Sequence, residues 1–299
     1  MASNTIDKKL EVFAFTAHIG PKAVSNYEDL FDYLISLTAK NRVYKVNDKV
    51  ISIPVIEKNG KRVKIIAYEG EQGVNPLMYD HENMKERVEK LKKNETLATK
   101  TRVIIDLAEK RAVAEYNHKG AKAGDIGEVL THLTAAKYAP HQPLIQFTHV
   151  AGDGFIEAIE KLSRVRVASV KFARPNPGWS DAHDKLVDVA EESGAHFVNV
   201  EFTASRGDNL NVKTGIIGFL KKTINQGLSI FSKVEVKGHE AGIKKEKSIK
   251  LENFVESRTA TVNRDANGHP EEAQILSQSA RYLDEMIRKE RLKKDDQGD

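Results

Sequence analysis

The chain contains no cysteine among its 299 residues. That absence excludes disulfides, thiol catalysis and thiolate metal sites. No apolar run approaches the ~18 residues a membrane helix needs, so membrane insertion is not expected. The segment from Met1 to Lys9 carries no apolar stretch of the secretory kind, and the expected compartment is cytoplasmic. Ten histidines include no His-x-x-x-His or Glu-x-x-His pattern on a helix, so no zinc and no other metal is expected. No Walker-type glycine loop is present. Gly152-Asp153-Gly154 is too short for a dinucleotide fingerprint and lacks the ribose-binding acid in context, so no cofactor is expected either. Ser163 and Ser205 have no histidine partner motif, and Arg206-Gly207-Asp208 reads as a loop tripeptide. With these chemistries set aside, the chain reads as a binding protein.

What is present is a globular composition, 40% hydrophobic and 30% charged. Leu10 to Ala17 predicts a strand, and Ser25-Asn26-Tyr27-Glu28 a capping box opening a helix with Leu30, Leu34 and Leu37. Val43 to Tyr68 predicts strands broken at Asn47-Asp48 and at Asn59-Gly60, the latter a hairpin signal because both positions tolerate positive φ. Pro54 inside the middle strand calls for a sheet edge or a bulge. His81 to Lys93 predicts a short polar helix, and Thr101 to Asn117 a hairpin around Glu109-Lys110. Asp125 to Glu128 caps a helix with Ile126, Val129, Leu130 and Leu133 on one face, and Pro140 and Pro143 end it.

Beyond it, Leu144 to Val150 and Val165 to Phe172 predict strands. Arg174-Pro175-Asn176-Pro177 forms a rigid elbow followed by a helix from Ser180 to Gly194 and a strand from His196 to Thr203, a β-α-β pattern. Asn211 to Gln226 predicts a helix, Leu228 to Lys237 and Ser248 to Phe254 a pair of strands across a basic loop, and Thr259 to Val262 another strand. Pro270 is placed at the first position of a final helix with Leu276, Ala280, Leu283 and Ile287 on one stripe. The expected fold is mixed α+β in two lobes. Residues 1–120 form a β-hairpin-rich lobe; residues 121–299 form an alternating α/β lobe with the basic hairpin and a long terminal helix.

Charge is unevenly spread. The formal net charge is +4, yet residues 213–250 hold nine lysines against three glutamates. On the strand from Ser232 to Lys237, Val234 and Val236 face one way and Lys233, Glu235 and Lys237 the other. Lys244, Lys245 and Lys247 follow in the loop. Such a hairpin suits a phosphate backbone, because lysine is a point charge with no base preference. The candidate DNA-binding residues are Lys221, Lys222, Lys233, Lys237, Lys244, Lys245, Lys247, Lys250 and Arg174. Arg174 belongs to a second basic set with Lys161, Arg164, Arg166 and Lys171, and arginine can pair a phosphate with two hydrogen bonds. Trp179 is expected to pack beneath the elbow. Glu235-Val236-Lys237 also matches the Glu-x-Lys of metal-dependent nucleases, with Asp208 upstream.

The run Val170-Lys171-Phe172-Ala173-Arg174-Pro175-Asn176-Pro177, with Glu201-Phe202-Thr203-Ala204 and the strand Lys233 to Gly238, resembles an uncharacterised bacterial and phage family carrying an Arg-Pro-Asn-Pro segment. More distantly, the order of elements resembles the families of the phage-lambda exclusion protein RexA and of KwaB from the Kiwa defence system. The RexA likeness in the N-terminal half is a pattern: a helix, the strand Val43-Tyr44-Lys45-Val46 and a hairpin with Asn59 to Val63. The resemblance implies a cytoplasmic phage-conflict protein, acting in antiviral defence, abortive infection or phage exclusion, that binds double-stranded DNA without sequence preference, as a homodimer. It carries over no catalytic residues. The expected function is therefore non-enzymatic DNA binding. The alternatives are a protein-interaction subunit docking a partner of a multi-component defence system, and a metal-dependent nuclease using Glu235 and Lys237.

Overall fold

The structure is a computed structural model that describes residues 4–19, 22–24, 26–46, 49–71, 73–92, 95–141, 143–152, 154–172, 198–225 and 231–295. The fold is mixed α+β and closes on a long C-terminal helix. The elements begin with β1 (Thr5–Ile19), β2 (Lys22–Ala23), α1 (Tyr27–Ser36), β3 (Val43–Val46), β4 (Lys49–Asn59) and β5 (Arg62–Glu71). They continue with β6 (Leu77–Asp80), β7 (Lys85–Val88), β8 (Thr99–Asp106), β9 (Arg111–Tyr116), α2 (Ala123–Tyr138) and β10 (Pro143–His149). Then come α3 (Gly154–Glu160), β11 (Leu162–Phe172), β12 (Val198–Thr203), α4 (Gly215–Asn225), β13 (Phe231–Glu240), β14 (Lys247–Lys250), β15 (Ser257–Asn263) and α5 (Glu272–Asp295).

Nine strands form the larger sheet in the order β10-β1-β9-β8-β5-β4-β3, with β15 and β2 also paired to β1. A second sheet runs β12-β11-β13-β14, and β6 and β7 pair alone. The chain forms two compact units. The first comprises residues 1–10, 17–146 and 259–280; the second comprises residues 11–16, 147–258 and 281–299. Residues 119–124, the expected lobe boundary, lie inside the first unit. Long strands and the last helix carry residues of both units, which a search for polar linkers cannot reveal.

In the first unit, Leu30, Phe31 and Leu34 of α1 and Ile126, Val129 and Leu130 of α2 are buried. Each such side chain contributes roughly 1.5–3 kcal/mol of burial. The α1 N-cap is Asn26, one residue beyond the expected Ser25: its Oδ1 accepts from the amides of Glu28 (3.0 Å) and Asp29 (3.3 Å). Glu28 pairs instead with Lys61. At the β4–β5 hairpin, Asn59 and Arg62 are partners, so the two-residue turn is Gly60-Lys61. Gly60, at φ 58, takes the left-handed position, while Asn59 stays in the strand. Pro54 sits where the register shifts between Ser52 and Val55, in a strand flanked by β3 and β5. Of the two placements a strand proline allows, this is the bulge.

Four other expectations shift. Residues 81–92, the described part of the expected polar helix, are not helical: Asp80 Oδ1 accepts from the amides of Glu82 (2.9 Å) and Asn83 (3.1 Å), an Asx bend that folds the chain into the β6–β7 hairpin. The segment lacks the 3.6-residue apolar period that would hold a helix against a core. Helix α5 starts at Glu272, past Pro270, which bridges to Arg264. Helix α4 starts at Gly215 because Asn211 Oδ1 ties up the amides of Lys213 and Thr214 in a bend ahead of it. Finally, β11 and β12 are antiparallel neighbours, not the parallel pair of a β-α-β crossover. Periodicity alone does not fix strand direction. The elbow with Arg174 and Trp179, and the helix expected from Ser180, lie outside the described residues.

The first unit also encloses charge. Arg102 of β8 and Glu115 of β9 have side chains 5% and 0% exposed, joined at 2.7 Å. Lys8 Nζ lies 3.0 Å from the other Glu115 oxygen and donates to Asn117 Oδ1, also at 3.0 Å. Glu272, at the start of α5, accepts from Lys100 at 2.8 Å and stands 3.7 Å from Arg102 Nε. Burial pushes the Glu272 carboxyl up, but the Lys100 hydrogen bond and the Lys100 and Arg102 charges outweigh it and hold the pKa below the usual carboxylate range. Among the described residues no helix is long and apolar enough to cross a membrane.

Glu115→Ala should cost about 3–5 kcal/mol in urea denaturation, because it strands a buried arginine. Replacing Arg102 and Glu115 together by methionine and leucine should recover most of that loss. A carboxyl with a depressed folded pKa stabilises above its unfolded value and loses that contribution as pH falls through the folded value. Glu272→Gln should therefore lessen the stability loss seen below about pH 5 in a series of denaturation curves.

Candidate nucleic-acid interface

The second unit explains how lysines come to share a surface. Its sheet has apolar residues on one face: Val165, Ala168 and Val170 of β11, Val234 and Val236 of β13, and Ile249 of β14. They share a buried cluster with Phe155 and Ile159 of α3 and Ile217 and Leu220 of α4. The helices thus cover this face. In a strand, alternate side chains point oppositely, so the residues between these must occupy the other face.

Register orders that outer face into three rows. Lys171 stands between Asn199 and Lys233; Ser169 between Glu201 and Glu235, with Lys250 beyond; Val167 between Thr203 and Lys237, with Ser248 beyond. Lys233, Lys250, Ser248, Asn199, Glu201 and Thr203 are exposed, and Lys171, Ser169, Glu235 and Lys237 half-buried. Four lysines therefore face two carboxylates. Lys171 and Lys233 are direct cross-strand partners, a placement that like charges disfavour.

Glu235 does not cancel this excess. Its Oε1 accepts from Ser248 Oγ at 2.7 Å, and Lys237 Nζ stands 3.6 Å away. The Ser248 hydrogen bond is the largest influence on its carboxyl; burial pushes the other way, and that bond with the charges of Lys237 and Lys250 outweighs it and keeps the pKa below the usual range. Glu235 is thus an ionised carboxylate that spaces the lysines.

The structure sorts the candidate lysines into three groups. Lys233, Lys237 and Lys250 share the outer face. Lys244, Lys245 and Lys247 are exposed on the turn joining β13 to β14 and at the start of β14, with Lys247 held to Glu240 at 2.5 Å. Lys221 and Lys222 belong to α4, the helix on the covered side, and Lys221 pairs with Glu160 at 3.0 Å. Charge density along the sequence grouped them together; the layer between them separates them. Of the second basic set, Arg164 donates to the Asp208 carbonyl from Nε (3.1 Å) and Nη2 (3.0 Å), and Arg166 is the extra residue of a bulge between Val165 and Val167. Arg174 lies outside the described residues. Lys171, with Ser169, Ser248, Asn199 and Thr203, completes the face. Alternation in β11 could have placed Lys171 there, but the cross-strand neighbours needed the register.

Among the described residues no group of three His, Asp or Glu side chains is arranged to hold a metal ion. Asp208 lies in the loop after β12, its carbonyl engaged by Arg164. In comparison with known proteins, the sequence matches no family model and no curated protein.

Ser248→Ala should raise the Glu235 pKa toward its ordinary value, because it removes the largest influence holding it down. Side-chain carboxyl NMR titration reads the change directly.

Proposed function

We propose that the outer face of the β12-β11-β13-β14 sheet, with the lysine turn at its end, binds the phosphate backbone of double-stranded DNA without reading sequence. The observation that carries this reading is the set of Lys233 and Lys250, exposed, and Lys237, half-buried, on one face, continued by the exposed Lys244 and Lys245. Lysine contributes a point charge, and the neighbouring Ser169 and Asn199 can donate to phosphate oxygens. The three rows hold no aromatic side chain. Binding of single strands relies on stacking against aromatic rings, so the face suits a duplex better. A role in phage defence or phage exclusion rests on the likeness of the sequence to the RexA and KwaB families alone. No catalytic step is assigned.

Anisotropy of a labelled duplex, titrated at several salt concentrations with and without magnesium, tests the reading. With three or four phosphates neutralised, log K should fall against log salt with a slope of about −3 to −4. Lys233→Glu, Lys237→Glu and Lys250→Glu together should weaken binding at least ~30-fold, since three attractive contacts become repulsive. Lys221→Glu with Lys222→Glu, on the covered side, should have a much smaller effect. No binding at low salt, or an unchanged outer-face variant, would sink the assignment. A stable co-purifying protein without DNA affinity would favour the interaction-subunit alternative.

A further inference from the structure

The β6–β7 hairpin is the two-stranded sheet of the described residues, and both strands are exposed along their length. Two strands alone are marginally stable in water. This pair nevertheless shows Leu77 (61% exposed), Met78 (46%), Tyr79 (47%) and Val88 (57%) to solvent. Large apolar side chains gathered at one exposed site mark an interaction surface.

The two edges of the hairpin differ. The β7 edge reads Lys85-Glu86-Arg87, the kind of charged strand that discourages further pairing. The β6 edge reads Leu77-Met78-Tyr79 before Asp80. Asp80 does not guard it. Its Oδ1 accepts from two backbone amides of the bend and its Oδ2 from Asn83 Nδ2 at 2.7 Å, so the carboxylate turns into the hairpin's own loop.

Symmetry then selects the occupant and the register. A two-fold axis through an antiparallel sheet pairs a residue with its own copy and preserves the faces. Centred on β7, the axis sets Glu86 against Glu86 with Lys85 against Arg87, or Arg87 against Arg87. Like charges meet in both cases, which disfavours pairing. Centred on Met78 of β6, it sets Met78 against the partner's Met78 and Leu77 against the partner's Tyr79. Every such pair is apolar. The hairpin register puts Leu77, Tyr79 and Val88 on one face with Glu86, so the two copies would join their apolar residues across the seam and keep Glu86 on the outer strands.

We propose that this chain forms an isologous dimer in which β6 pairs antiparallel with β6 of a second copy, centred on Met78, to give a four-stranded sheet β7-β6-β6-β7. The inference does not depend on DNA binding.

The absence of cysteine makes the test clean, since Met78→Cys introduces a lone thiol. At the axis its Cβ would lie about 4.5–5.5 Å from its copy. Mild oxidation, or a short bis-maleimide, should convert Met78→Cys to a covalent dimer. Val88→Cys should stay uncrosslinked, because the two outer strands would stand about 14 Å apart. Light scattering should find the wild-type chain dimeric and Met78→Lys monomeric, with circular dichroism and melting temperature unchanged because the hairpin side chains are exposed in the single copy. A wild-type chain that stays monomeric at every concentration overturns the proposal, and leaves the β6 edge to a strand from another protein. Crosslinking of Val88→Cys in place of Met78→Cys, or a dimer that survives Met78→Lys, overturns it equally.

Discussion

The second unit depends on a simple constraint: a sheet covered by helices on one side must send every second side chain to the other. β11 and β13 obey it through their central pairs, from Val234 against Val170 to Val236 against Ala168. Once the valines meet Phe155, Ile159, Ile217 and Leu220, the lysines between them have no other place to go. A cationic surface is thus a consequence of burial on the far side. Its composition could vary widely without disturbing the core, which leaves the outer face available for function.

The first unit solves a different problem. Its large sheet carries an arginine and a glutamate, Arg102 and Glu115, where a nonpolar pair would pack as well. A buried ion pair contributes little net stability over such a pair, but leaving either member alone is costly. The surrounding groups therefore have to arrive together: Lys8 from β1, Asn117 after β9, and Glu272 from the far end of the chain. The first turn of α5 is tied to β8 by this requirement through Lys100 as well. Termini distant in sequence are drawn into one electrostatic arrangement.

Strand-rich segments with strong alternation were legible from residues alone, and so was the opposition of Val234 and Val236 to Lys233, Glu235 and Lys237. Helix starts were less so. Asn26 and Asn211 each capture two backbone amides, and which polar residue does this depends on where the chain enters the turn. The β6–β7 hairpin was hidden because its residues are mostly polar and its bend is made by one carboxylate, not by an Asn-Gly pair. The grouping of the lysines was half visible. Alternation assigned faces within a strand, but only pairing across strands showed that Lys171 joins Lys233 and that Lys221 and Lys222 belong to another layer.

Gly238 gives this architecture an unusual dependence. A Cβ at that position would come within 2.1 Å of the Arg164 carbonyl oxygen, beside the bulge that absorbs Arg166. The bulge sets the phase of the two central strands, and a slip of one residue in a sheet turns every side chain to the opposite face. A hydrogen in place of one methyl group therefore lets the two central strands close up at the bulge, at the end of the rows that carry the lysines. The close fit at one end of a charged surface is set by a residue that carries no charge at all.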